Sequence, residues 1–188
     1  MCVMSKFKSF RRAQEGTLSV EALIVLPMLL WAVGAMFIYW DAFKTQNINA
    51  KASYTVADLI SRESSAIDGD YIDGMNNIYE FLIKRGRDNN LRVSVVSYTQ
   101  EDEFAPIVKN LNWSYATGDL EEHTTISAIE DRLPTLNPGE ELIVVETEMT
   151  WTPPIGMNIW VPTLDEAQYR NLVFTTPRFV PQVVFASS

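Results

Sequence analysis

From Ala22 to Trp40 the chain runs for nineteen residues without a charged side chain. At about 1.5 Å per residue such a helix covers roughly 28 Å, the hydrocarbon thickness of a bilayer. Beyond Trp40 the pattern turns polar but keeps a helical period, with Phe43, Ala50, Tyr54 and Ala57 recurring at three-, four- and seven-residue separations. The spacing predicts one helix from Thr17 to about Ile60, roughly 65 Å long, apolar all round in its first half and amphipathic in its second.

A second helix is expected after Asp68-Gly69-Asp70, where Tyr71, Ile72, Met75, Ile78, Tyr79, Leu82 and Ile83 form an apolar stripe closed by Lys84, Arg85 and Gly86. Alternation then predicts strands over Leu91–Thr99 and Leu111–Tyr115, and helical spacing of Ile126, Ile129 and Leu133 predicts a helix over Thr125–Leu133, ahead of Pro134. A turn at Asn137-Pro138-Gly139 leads into a strand over Leu142–Trp151, with Ile143, Val145, Thr147 and Met149 on one face and Glu146 and Glu148 on the other. Val173–Thr176 and Val180–Phe185 complete the expected sheet, Pro177 and Pro181 marking edges or breaks. The order predicts an α+β fold: a long amino-terminal transmembrane helix leading into a small domain of antiparallel sheet with helices packed on one face. The expected divisions are 1–16, a basic segment; 17–66, the membrane-spanning helix with its amphipathic extension; and 67–188, the α+β domain.

Charge is distributed unevenly. Residues 1–16 hold Lys6, Lys8, Arg11 and Arg12 against Glu15, whereas the chain after Trp40 holds 11 basic and 22 acidic side chains. That acidic surplus argues against nucleic acid as a partner, because phosphate binding rests on lysine and arginine. Basic residues before the apolar run and Asp41 after it predict a cytoplasmic amino terminus and an extracytoplasmic domain in a single-pass membrane protein. Tyr39 and Trp40 sit where an interfacial aromatic belt falls. Cys2, the only cysteine, rules out a disulfide within one chain.

Glu21 stands just inside the apolar run, where an ionised acid costs about 2.5 to 3.5 kcal/mol unless it has a partner. Cleavage between Gly16 and Thr17 would supply one. The new α-amino group, with a reference pKa of about 7.7 to 8.0, would lie one helical turn from Glu21 or could meet the glutamate of a neighbouring subunit. This arrangement resembles the class III signal of type IV prepilins, in which a short basic leader ends in glycine and glutamate is the fifth mature residue. The run from Phe10 to Pro27 looks like the start of TadE-like minor pilins of the Flp (tight adherence) pilus, with Ala22 where an aromatic residue often follows the glutamate. The resemblance covers about the first quarter of the chain. It implies processing by prepilin peptidase at Gly16, recognition through Glu21, insertion in the bacterial inner membrane, and assembly with other pilin and minor pilin subunits into or at the base of a fimbria used for adhesion. Two other readings of the same residues stand beside it: an uncleaved signal anchor carrying a periplasmic adaptor or binding module, and a secretory signal peptide cut near Gly34 and Ala35.

The remaining residues offer little chemistry. His123 is the only histidine, follows Glu121 and Glu122, and reads as part of a solvated turn. A Gly-x-Ser-x-Gly elbow and a glycine-rich phosphate loop are both lacking, so neither an enzyme nor a cofactor is expected. Asp68, Asp70 and Asp73 miss the EF-hand spacing and read as caps and solvated acids rather than metal ligands, and Glu140-Glu141 reads as solvated charge. The stretch from Trp151 to Leu164 is unusually apolar for a loop. Trp151, Ile155, Met157 and Trp160 are candidates for contact with a partner, the alternative being that the loop folds back over the sheet.

Overall fold

The computed structural model describes residues 15–84, 88–153 and 166–186, with side chains of the first helix from Val20 onward. These residues fall into two units. One holds the first helix as far as Asp41; the other holds Ala42–Thr152 and the chain from 166 on.

Helix α1 (Glu15–Ser61) contains Pro27. In the first unit most of its apolar side chains are exposed, with Leu23, Met28 and Met36 at 76%, 72% and 74% exposure, while Ile38 is buried. Its most apolar window has a mean hydropathy of 2.2, and by length and composition it is able to cross a membrane.

In the second unit α1 turns one stripe inward, comprising Asn49, Ala52, Ser53, Val56, Ala57 and Ile60. The sequence pattern placed this stripe at the wrong phase. Phe43 and Tyr54 are exposed, because the polar Asn49 and Ser53 hold inward positions. Helix α2 (Gly69–Ile83) starts as expected, with Asp68 Oδ1 accepting from Tyr71 N at 2.8 Å. It ends on Lys84, whose φ of 58° puts it in the left-handed region and whose N–H donates to Glu80 O. The cap is therefore Lys84, while Arg85 and Gly86 lie outside the described residues. Ile72, Tyr79 and Ile83 of α2 are buried.

Strands β1 (Asn89–Thr99), β2 (Val108–Ala116), β3 (Glu141–Trp151) and β4 (Ala167–Thr175) form one antiparallel sheet in the order β2-β1-β3-β4. A bulge at Asn112 shifts the β1/β2 register, so that Trp113 pairs with Val95 and Leu111 with Val96. Leu111 and Trp113 are two residues apart, yet they serve opposite faces: Trp113 packs on the helix side and Leu111 on the other. Both helices cover one face, over Leu91, Val93, Val95, Ile143, Val145, Met149 and Val173.

The second face is covered by the β2–β3 crossover, whose Ile129 and Leu133 bury Val96, Tyr98, Leu142 and Val144. The helix expected over Thr125–Leu133 is replaced by two 3-10 turns, Ile126–Ala128 and Glu130–Arg132, parted by Ile129 at φ −127°. Thr125 makes no side-chain cap bond, and so short an uncapped segment cannot offset the cost of nucleating an α-helix. Glycine closes the crossover. Gly139 has φ 88°, and Glu140 N donates to Asn137 O at 3.2 Å, giving the type II turn that Asn137-Pro138-Gly139 indicates.

The carboxy-terminal expectations need correction too. The strand placed at Val173–Thr176 begins at Ala167. Val180–Phe185 adds no sheet strand; Pro181 interrupts it, and it crosses the helix side of the sheet with a single parallel bridge between Ile67 and Phe185. Three bonds fix this segment: Ile67 N to Val184 O at 2.9 Å, Trp113 Nε1 to Val183 O at 2.8 Å, and Val183 N to Glu141 Oε2 at 2.9 Å. Phe185 lies against the rings of Trp113 and Tyr115. Glu141 is thus a buried acceptor rather than the solvated acid its neighbour Glu140 is.

Candidate functional site

On the face away from the helices, strand alternation puts Arg92, Glu146, Glu148 and Arg170 together at one end of the sheet, with Arg92 paired to Glu146 and Glu148 to Arg170 in the register. Glu146 lies under the crossover, its side chain 11% exposed. Its Oε2 accepts from Arg92 at 2.6 Å and meets His123 Nε2 at 2.7 Å, and its Oε1 accepts from Arg132 at 3.2 Å. Arg92 also donates to Glu121 O at 2.8 Å, and His123 N donates to Ser114 Oγ at 3.1 Å. Burial pushes the Glu146 carboxyl pKa up, but the Arg92 charge and the bonds from His123 and Arg92 outweigh it and hold the pKa below the ordinary 4.5. Glu148 is bound by Arg170 at 3.0 Å. A cavity of about 290 Å³ opens here, lined by Arg92, Leu120, Arg132, Glu146, Glu148, Arg170 and Leu172, with Thr147 and Asn171.

The helix side holds a buried polar seam. Tyr79 donates to Asn49 Oδ1 at 2.6 Å, and Ser53 Oγ lies 2.6 Å from Thr147 Oγ1 and 3.4 Å from Asn171 Nδ2. Burial raises the Tyr79 pKa to about 12, so the phenol stays a donor at ordinary pH.

The residues singled out from sequence are distributed differently. Gly16, Thr17 and Glu21 lie on α1; Glu21 is exposed, while the side chain of Thr17 is outside the described set. Trp151 is the last residue of β3, 3% exposed and in ring contact with Tyr169. Ile155, Met157 and Trp160 lie outside the described residues. His123 is no solvated turn residue: its side chain is 10% exposed and its Nε2 lies 2.7 Å from Glu146 Oε2. Among the described residues no group of three or more His, Cys, Asp or Glu is placed to hold a metal.

Sequence reasoning missed the arginine cluster. The signal was present in the strand pattern, where Arg92 and Arg170 occupy the same alternate positions as Glu146 and Glu148. What the pattern does not carry is that the crossover would bring Arg132 and His123 over them.

The class these features define is an α+β protein with, among the described residues, one helix of membrane-spanning length near its amino terminus. No family model, curated protein or solved structure matches the chain.

Proposed function

We propose that the chain is a TadE-like minor pilin, cut by prepilin peptidase between Gly16 and Thr17 and assembled through α1 into a Flp/Tad-type adhesion pilus. The observation that carries this reading is Glu21. It is the only charged residue from Val20 to Trp40, it is exposed on α1, and it follows Gly16 by five residues. Such an acid in an apolar setting calls for a counterion, and a freed Thr17 α-amino group one turn away provides it. The basic residues before the helix support a cytoplasmic leader with the α+β domain outside the inner membrane. A domain with covered sheet faces and an exposed apolar helix suits a subunit that docks by its helix and displays its domain.

Expression with and without prepilin peptidase tests the reading. The wild-type chain is expected to shorten by its leader and Gly16→Ala to block shortening; Glu21→Ala is expected to fail in assembly. Full-length chain in a peptidase-competent cell contradicts it. The arginine-lined cavity favours a second reading, an uncleaved anchored binding module, which predicts that Gly16→Ala and Glu21→Ala leave function unchanged.

A further inference from the structure

The charges around the cavity do not cancel. Three guanidiniums, Arg92, Arg132 and Arg170, share it with two carboxylates, Glu146 and Glu148. The lining therefore keeps one surplus positive charge in a chain whose net charge is −9. Burial divides the arginines by role. Arg92 is fixed, its side chain 15% exposed and engaged by Glu146 and Glu121 O. Arg132 and Arg170 are 50% and 70% exposed. Arg132 gives Glu146 one bond at 3.2 Å, and Arg170 meets Glu148 through Nε and Nη2 and Gln168 through Nη2. A guanidinium has five N–H donors, so both retain donors beyond those bonds. Leu120 and Leu172 supply apolar wall.

We infer that this cavity binds one carboxylate on a short aliphatic stem, the carboxylate held by Arg132 and Arg170 and the stem against Leu120 and Leu172. Ligand pockets start at about 300 Å³, so the space suits a small acid or one acidic side chain and is too small for a nucleotide. Charge selects a monoanion. A phosphate dianion would exceed the single surplus charge and meet the repulsion of Glu146 and Glu148, whereas one carboxylate matches it and gains charge-assisted bonds. Two sources carry this chemistry, a free short-chain acid and a glutamate side chain of a protein partner. The inference holds whether or not the leader is cut.

Calorimetry on the full chain in detergent, with butyrate, 1-butanol, a peptide bearing one glutamate and its glutamine counterpart, tests it. Saturable binding of butyrate alone identifies a free acid as the ligand; binding of the glutamate peptide alone identifies a protein side chain; binding of both confirms the shared carboxylate. Arg132→Gln and Arg170→Gln are each expected to weaken binding about tenfold or more. Because these arginines sit on separate elements and are at least half exposed, one folded variant suffices, with the thermal melt reporting folding. No binding of butyrate or the glutamate peptide at about 10 mM overturns the inference. So does equal binding of 1-butanol or the glutamine peptide, or unchanged affinity in the folded variants.

Discussion

Glu146 is held by Arg92, His123 and Arg132, and removing it strands a mostly buried guanidinium. Glu146→Gln is therefore expected to destabilise the chain by about 3 kcal/mol, read as a lowered denaturant midpoint. Its pKa is depressed on folding, so its contribution is complete above about pH 4.5 and is lost as pH falls through the lower folded value. The wild-type chain should lose stability in acid along that limb, and Glu146→Gln should flatten it; equal acid limbs would show that another group governs. Two glycines offer a contrast at the same scale. Gly118 has φ 65°, and a Cβ there would overlap Asn90 Oδ1, whereas Gly139 at φ 88° faces open space. Melting of Gly139→Ala should reveal only backbone strain of about 1 kcal/mol, and Gly118→Ala should cost more because Asn90 must also move. The Asn137-Pro138-Gly139 turn was legible because a type II turn needs a particular residue in it. Gly118 was not, since its constraint comes from a side chain 28 positions away.

Between elements, the seam joining α1, α2, β3 and β4 is polar inside an apolar core. Ser53→Ala removes the 2.6 Å partner of the buried Thr147 hydroxyl, at about 1 to 3 kcal/mol. Thr147→Val leaves Ser53 Oγ its bond to Asn49 O at 2.8 Å and should cost less. A double-mutant cycle should give a combined loss smaller than the sum of the single losses, because the second change removes the group stranded by the first. Simple additivity would mean that the 2.6 Å contact does not couple the two elements. This seam also explains why the phase of α1 was misread. A hydrophobic pattern cannot anticipate Asn49 and Ser53 facing inward, because their burial depends on partners in β3, β4 and α2. Where a strand's own alternation decides, as in Ile143, Val145 and Met149, the inward face was legible. The crossover and the carboxy-terminal segment take their form from tertiary contacts, so apolar residues there suggested a helix and a strand that do not form.

Over the whole molecule, one chain carries two surfaces with opposite solvent demands. The first part of α1 exposes Leu23, Met28, Met36 and Phe37 on a stretch whose one charged residue from Val20 to Trp40 is Glu21, while the α+β unit builds an apolar core on each sheet face. The length and apolarity of the helix were legible because they are properties of consecutive residues. The use made of Glu21 is not a property of the folded chain alone, because its proposed counterion appears only when a peptide bond is broken. Amino-terminal sequencing of the protein recovered from membranes of cells with and without prepilin peptidase tests that use most directly. The account predicts a chain beginning at Thr17 when the peptidase is present and an intact leader when it is absent. A leader retained in both cells, or a chain beginning beyond Trp40, would contradict it.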